Sequence, residues 1–119
     1  MKLQKIEAAL RDHALTYPEV HEDFPWGHRA MKVKGKAFAF IAMHDHEVSI
    51  SLKLPQSRDI AVELPFTEPT EYGLGKHGWI TAHLKGAKPP LDMVKAWIDE
   101  SYRAIAPKKL VKTLDAMKG

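Results

Sequence analysis

The sequence contains no cysteine, which excludes disulfides, thiolate metal sites and cysteine nucleophiles. It has no apolar run long enough to span a bilayer. The opening Met1-Lys2-Leu3-Gln4-Lys5-Ile6-Glu7 is already amphipathic and lacks the apolar core of a secretory signal. A reducing, cytoplasmic location without a membrane partner is therefore expected. Catalytic signatures are missing too: there is no G-x-S-x-G elbow, no H-E-x-x-H helix and no phosphate-cradling glycine loop followed by Lys-Ser/Thr. Glu22-Asp23 is a pair of neighbouring carboxylates, but adjacent residues of an extended chain point to opposite sides and do not form an acid/base dyad. Glu22 remains available to meet Lys76 or another cation. No nucleophile with an attendant base can be named from spacing, so a non-enzymatic protein without a cofactor is expected. Among the seven histidines only His44-Asp45-His46 cluster, and two ligands from one turn fall short of the three or four that zinc requires. No metal site is expected.

What is present is ordinary for a globular chain: 119 residues, 45% hydrophobic and 28% charged, the proportions of a soluble protein. One domain over residues 1–119 is expected, long enough to bury a core without staples. Eighteen Lys and Arg against fifteen Asp and Glu leave a formal charge of +3, which permits contact with a polyanion without demanding it.

Leu3, Ile6, Leu10 and Ala14 recur at helical spacing, predicting an amphipathic helix from Lys2 to about Thr16 that Tyr17-Pro18 ends. Val20 to His28 is an acidic and aromatic loop or edge strand, because Pro25 donates no ladder hydrogen bond. From Arg29 to Lys53 the pattern is a β-meander with a hairpin turn at Lys34-Gly35-Lys36 and a second turn at His44-Asp45-His46. Ala37 to Met43 is apolar at both parities, as in a strand covered on both sides, whereas Val48, Ile50 and Leu52 alternate with Ser49, Ser51 and Lys53. A short helix is predicted over Pro55 to Leu64 and a loop over Pro65 to Glu71. Pro89-Pro90 introduces a long helix to about Ala106, with Leu91, Val94, Ile98, Tyr102 and Ile105 as its stripe. Beyond Pro107, Leu110, Val111 and Leu114 make a final basic helix.

The stretch from Tyr72 to Lys85 is the best candidate for a site. Gly73, Gly75 and Gly78 punctuate a loop, after which Ile80, Ala82 and Leu84 alternate with Trp79, Thr81, His83 and Lys85. The implied architecture is α+β, an antiparallel sheet (a meander plus a later strand) with the N- and C-terminal helices packed on one face. The other face is expected to carry Lys32, Lys34, Ser49, Ser51, Lys53, Trp79, Thr81 and His83, with the Trp79 indole at least partly accessible. Lys32, Lys34, Lys53, Lys76 and Lys85 could neutralise phosphates there while Trp79 stacks on a base, so DNA is the first expected partner. The alternative is a small-molecule or protein ligand, held between the Glu22–Gly27 and Lys76–Trp79 segments by Glu22, Trp26, Lys76 and Trp79.

Four motifs in order carry a resemblance. Tyr17-Pro18-Glu19-Val20 with Glu22-Asp23-Phe24-Pro25-Trp26-Gly27, then Lys32-Val33 with Gly35-Lys36-Ala37-Phe38-Ala39, then Lys76-His77-Gly78-Trp79, and last Asp99-Glu100-Ser101-Tyr102 resemble the MmcQ/YjbR family. The resemblance runs over about residues 3 to 114. It implies a compact α+β domain similar to a double-wing, CyaY-like DNA-binding fold, and DNA binding as the activity usually attached to it. The family pattern falls on Glu22, Phe24, Pro25, Gly27, Lys32, Lys76, Trp79, Ser101 and Tyr102. His77-Gly78 departs from the longer polar residues usual between that lysine and tryptophan.

Overall fold

The computed structural model describes residues 2–24, 28–71, 74–86 and 88–118. Helix α1 (Leu3–Leu15) buries Ile6, Leu10 and Ala14. Strands β1 (Val20–Asp23), β2 (Arg29–Val33), β3 (Lys36–Met43) and β4 (Val48–Lys53) follow as a meander, and then comes the short helix α2 (Arg58–Ala61). Strand β5 (Thr67–Pro69), a 3₁₀ turn (Leu74–His77) and strand β6 (Trp79–Leu84) lead to helices α3 (Leu91–Ile105) and α4 (Lys108–Lys118). All strand pairs are antiparallel, in the order β1-β2-β3-β4-β6-β5. The expected α+β class and the gathering of helices on one sheet face are what the chain adopts.

The β2–β3 connection is a two-residue hairpin in which Lys34 and Gly35 both have positive φ (50° and 80°), the geometry whose twist matches the flanking strands. The helices end for local reasons as well. Ala106 turns extended (φ −68°, ψ 148°), because the residue before Pro107 is excluded from the α region. Between the sheet and α1 and α3 lies the core, where Ile41, Ile50, Leu52, Ile80 and Leu84 meet Ile6, Leu10, Val94, Ile98 and Tyr102.

Three expectations are corrected. The loop over Pro65 to Glu71 contains the edge strand β5, whose three residues are fixed by pairing with Ile80 to Ala82 of β6 rather than by any alternation of their own. The helix at 55–64 is reduced to Arg58–Ala61. And β3 is not covered on both sides. Its register against β2 shifts between Met31 and Lys32, so that Met31 faces Ala39 but Lys32 faces Ala37. Phe38 is the extra residue of a β-bulge, a device that re-aims side chains. The bulge turns Phe38 inward against Tyr102, edge to face at 5.4 Å, and leaves Phe40 and Ala42 half-buried on the opposite, helix-free face.

Candidate functional site

The helix-free face is built by register. Ala42 pairs Ser49, Phe40 pairs Ser51, and Ser51 pairs Thr81, which pairs Glu68. Apolar Phe40 and Ala42 thus lie beside a row of hydroxyls. Ser51 Oγ and Thr81 Oγ1 are 2.8 Å apart, and Thr81 Oγ1 is 3.0 Å from Thr70 Oγ1. Between His28 on one side and Thr70 and Leu74 on the other, this surface sinks into a groove of about 370 Å³ floored by Phe40, Ala42, Ser49 and Ser51. His44 closes one end, its Nε2 3.1 Å from Ser49 Oγ. Gly75 lets the 3₁₀ turn lie close behind Thr70: a Cβ there would stand 3.0 Å from Pro69 Cβ and 3.1 Å from the Thr70 carbonyl oxygen.

Beside the groove His83 is clamped between two acids. Its Nδ1 meets Glu47 and its Nε2 lies 2.5 Å from Glu68 Oε2. An imidazole that donates from both nitrogens is an imidazolium. Partial burial works against that charge, but the hydrogen bonds to Glu47 and Glu68 prevail and raise the His83 pKa above its ordinary value. A raised folded pKa gives stability that is complete below the unfolded value of about 6.5 and is lost as pH rises through the folded pKa. Urea unfolding between pH 6 and pH 9 is therefore expected to show stability falling with pH, and His83→Gln should flatten that fall. Parallel profiles for the two proteins would show that the clamp makes no such contribution.

The expected lysines divide. Lys32 Nζ is 2.9 Å from Asp23 Oδ2, and Lys34 Nζ is 2.8 Å from Glu19 Oε1. Lys53, Lys76 and Lys85 have no ion-pair partner among the described residues. Because β2 and β4 run together against β3 and β6, Lys32, Lys34, Lys53 and Lys76 gather at one end of the sheet, while Lys85 follows the far end of β6. Asp45 and Glu47 lie in the turn at that far end, so the face is not uniformly basic. Lys53 pairs Trp79 across β4 and β6.

Trp79 is on the expected face, opposite Ile80, but its expected accessibility is wrong: it is only 7% exposed. Its ring packs on Phe40 with centroids 5.7 Å apart. Two bulky rings two strands apart on this face pack on each other, a contact that the alternation of a single strand cannot reveal. Glu22 is likewise not beside Lys76. Three strands separate β1 from β6, and Glu22 Oε2 accepts hydrogen bonds from Arg11 Nε (2.8 Å) and Arg29 Nη1 (2.9 Å). Burial opposes ionisation of Glu22, yet these two guanidinium bonds outweigh it and hold its pKa below the usual value. Trp26, the fourth expected ligand contact, lies outside the described residues, as do Pro25, Gly27, Tyr72 and Gly73. The groove walls come instead from residues flanking the two expected segments, His28 and Leu74. The signal for its floor was the unexplained second apolar parity of β3, at Phe40 and Ala42.

Asp99-Glu100-Ser101-Tyr102 serves structure. Asp99 accepts from Tyr17 Oη (2.8 Å), Arg103 Nε (2.6 Å) and Lys118 Nζ (3.0 Å), joining the segment after α1 to α3 and α4. Glu100 accepts from the Gln56 and Ser57 amides (2.9 and 3.0 Å) and from the Ser57 hydroxyl (2.6 Å), fixing the approach to α2. Ser101 donates to the Phe38 carbonyl (2.5 Å) and accepts from the Lys53 amide (2.9 Å). Tyr102 donates to the Pro18 carbonyl (2.8 Å). Four successive residues of one helix thus fasten it to four different parts of the chain. Among the described residues no group of three or more His, Asp or Glu is arranged to hold a metal ion, and no helix is long and apolar enough to cross a membrane.

An antiparallel sheet with helices on one face and a shallow apolar-floored groove on the other defines an α+β protein with an open sheet face. The model of the YjbR family matches residues 15–104, and the chain belongs to that family. A crystal structure of a Pseudomonas syringae protein has the same fold, with a TM-score of 0.62 at 20% identity, covering 87% of this chain and 98% of that one. No curated protein matches the chain.

Proposed function

We propose that this YjbR-family chain is a non-enzymatic binding protein whose working surface is the outer sheet face, with a small ligand seated in the groove over Phe40 and Ala42. The observation that carries this reading is the groove itself. About 370 Å³ of concave space, apolar in its floor and edged by hydroxyls and imidazoles, has the size and chemistry of a small-molecule site. Binding is favoured over catalysis because the one hydroxyl–imidazole pair at the groove, Ser49 with His44, has no carboxylate orienting the imidazole among the described residues. Filling the groove by Ala42→Trp tests the reading. Compounds that raise the melting temperature of the natural chain should leave that of the filled variant unchanged. A compound library that stabilises both proteins equally, or neither, defeats it.

A second reading, DNA binding, is favoured by Lys53 and Lys76, which have no ion-pair partner among the described residues and lie at one end of the same face. Trp79 is then a prop beneath these lysines and not a stacking platform. Lys32 and Lys34 already face Asp23 and Glu19, so they add less net attraction than Lys53 and Lys76. The Lys53→Glu/Lys76→Glu double variant should weaken duplex binding strongly and lower the salt slope by about one per lysine removed, while Lys32→Glu/Lys34→Glu should do less. Equal losses from the two double variants would show that pairing does not rank these lysines. Absence of any binding at low salt would end the DNA reading.

A further inference from the structure

We infer that the groove selects an uncharged, planar heteroaromatic ring, laid over Phe40 and Ala42 with its hydrogen-bonding edge toward Ser51 and Thr70. The inference rests on the ligand-binding reading above and names the class of ligand.

Charge decides the first part. The described residues lining the groove are His28, Phe40, Ala42, His44, Ser49, Ser51, Thr70 and Leu74, with no carboxylate, ammonium or guanidinium among them. A full charge seated there would give up water, at several kcal/mol, without meeting a permanently charged partner. Shape decides the second part. The floor is the surface of two adjacent strands, β3 and β4, whose paired residues Phe40–Ser51 and Ala42–Ser49 sit side by side. Neighbouring strands are about 4.8 Å apart and alternate residues about 7 Å apart along a strand, so the four positions frame the footprint of one or two fused rings. The half-buried Phe40 lines this surface, and an aromatic ligand gains a stacked or edge-to-face contact with its ring.

The hydroxyl chain decides the third part. Ser51, Thr81 and Thr70 are linked by two hydrogen bonds of 2.8 and 3.0 Å. Three hydroxyls hold three protons, and two bonds use only two. One O–H therefore remains to donate outward, and free lone pairs remain to accept. Reversing the direction of the chain moves the spare donor between Ser51 and Thr70. The edge of a heterocycle mixes donors and acceptors, and a reversible hydroxyl chain can answer either order. A saturated polyol lacks the face that Phe40 favours, and a carboxylate meets no lysine or arginine among the described lining residues.

Two sources could supply such a ring: a free small molecule or a base presented by a single-stranded nucleic acid. Two residues beyond the Ser51–Thr81 row stands the Lys53–Trp79 row, roughly 7 Å along the strands. An ammonium is thus within reach of a phosphate attached to a ring in the groove.

The test is amide chemical-shift mapping of the full chain with adenosine, thymidine, myo-inositol, benzoate and oligothymidylate. Adenosine or thymidine should shift the amides of Phe40, Ala42, Ser51 and Thr70. Ser51→Ala should weaken that binding about three- to tenfold, the loss of one hydrogen bond, and Ala42→Trp should abolish it. If Ala42→Trp does not fold, the shift map and Ser51→Ala decide alone. Tighter, salt-dependent binding of oligothymidylate in the same groove assigns the ring to single-stranded nucleic acid, while no gain over thymidine assigns it to a free molecule. Myo-inositol or benzoate binding the groove as well as the nucleosides overturns the inference and leaves the groove a binding site. If no probe moves these amides but the library of the preceding test still separates the natural and filled proteins, the ring class alone is wrong.

Discussion

Trp79→Ala is expected to destabilise the fold by about 3–5 kcal/mol, the range for truncating a buried aromatic. The indole opens β6, opposite Lys53 in the register, and is 7% exposed although it lies on the sheet face opposite the core helices. Phe40, two strands away, packs against it in a tilted ring contact of 5.7 Å. Removing the indole leaves Phe40 without its neighbour and opens a cavity at the edge of the groove. Because that cavity borders solvent and can fill with water, the lower part of the range is expected. Trp79→Phe keeps a ring against Phe40 and should recover most of the loss. Urea denaturation reads both variants, with the midpoint moving and the slope constant. A change below about 1 kcal/mol for alanine, well outside the range for a buried aromatic, would mean that the indole is held by nothing the fold needs.

Ser101→Ala should cost about 2–4 kcal/mol from a change of one atom. The β-bulge at Phe38 interrupts the ladder, and a bulged residue leaves backbone groups unpaired. Ser101, fully buried on α3, accounts for two of these needs: it donates to the Phe38 carbonyl and accepts from the Lys53 amide. Alanine fits the same space but leaves both groups dry, at about 1–3 kcal/mol each when no water reaches them. Tyr102→Phe, one residue on, removes a single bond to the Pro18 carbonyl and should cost only about 0.5–1.5 kcal/mol. If Ser101→Ala proved as mild as Tyr102→Phe, water or another donor would have to reach the Phe38 carbonyl, and the fastening assigned to Ser101 would be unnecessary. The result also bears on the family pattern, because Ser101 and Tyr102 then hold the fold and need no ligand to explain them.

The sequence by itself determined the elements with their own period or punctuation. Ile6, Leu10 and Ala14 fix the buried face of α1, and Pro107 fixes the end of α3. Val48, Ile50 and Leu52 fix which side of β4 is buried, and Lys34-Gly35 fixes the β2–β3 hairpin. These are local facts, carried by side-chain spacing and by backbone angles that neighbours along the chain enforce. Only the tertiary structure decided what depends on partners remote in sequence. Thr67 to Pro69 form a strand because β6 offers an edge. Phe38 turns inward because a one-residue bulge against β2 shifts the parity of β3, and Ser101, 63 residues later, bonds its carbonyl. Trp79 packs on Phe40 two strands away, and Glu22 meets Arg11 and Arg29 because β1 lies at the far side of the sheet from Lys76. The groove belongs to the same class. Its residues span His28 to Leu74 and share no local pattern, so pairing alone brings Phe40, Ser51 and Thr70 onto one surface. Side-chain period is local, whereas register and strand order are set by the whole sheet.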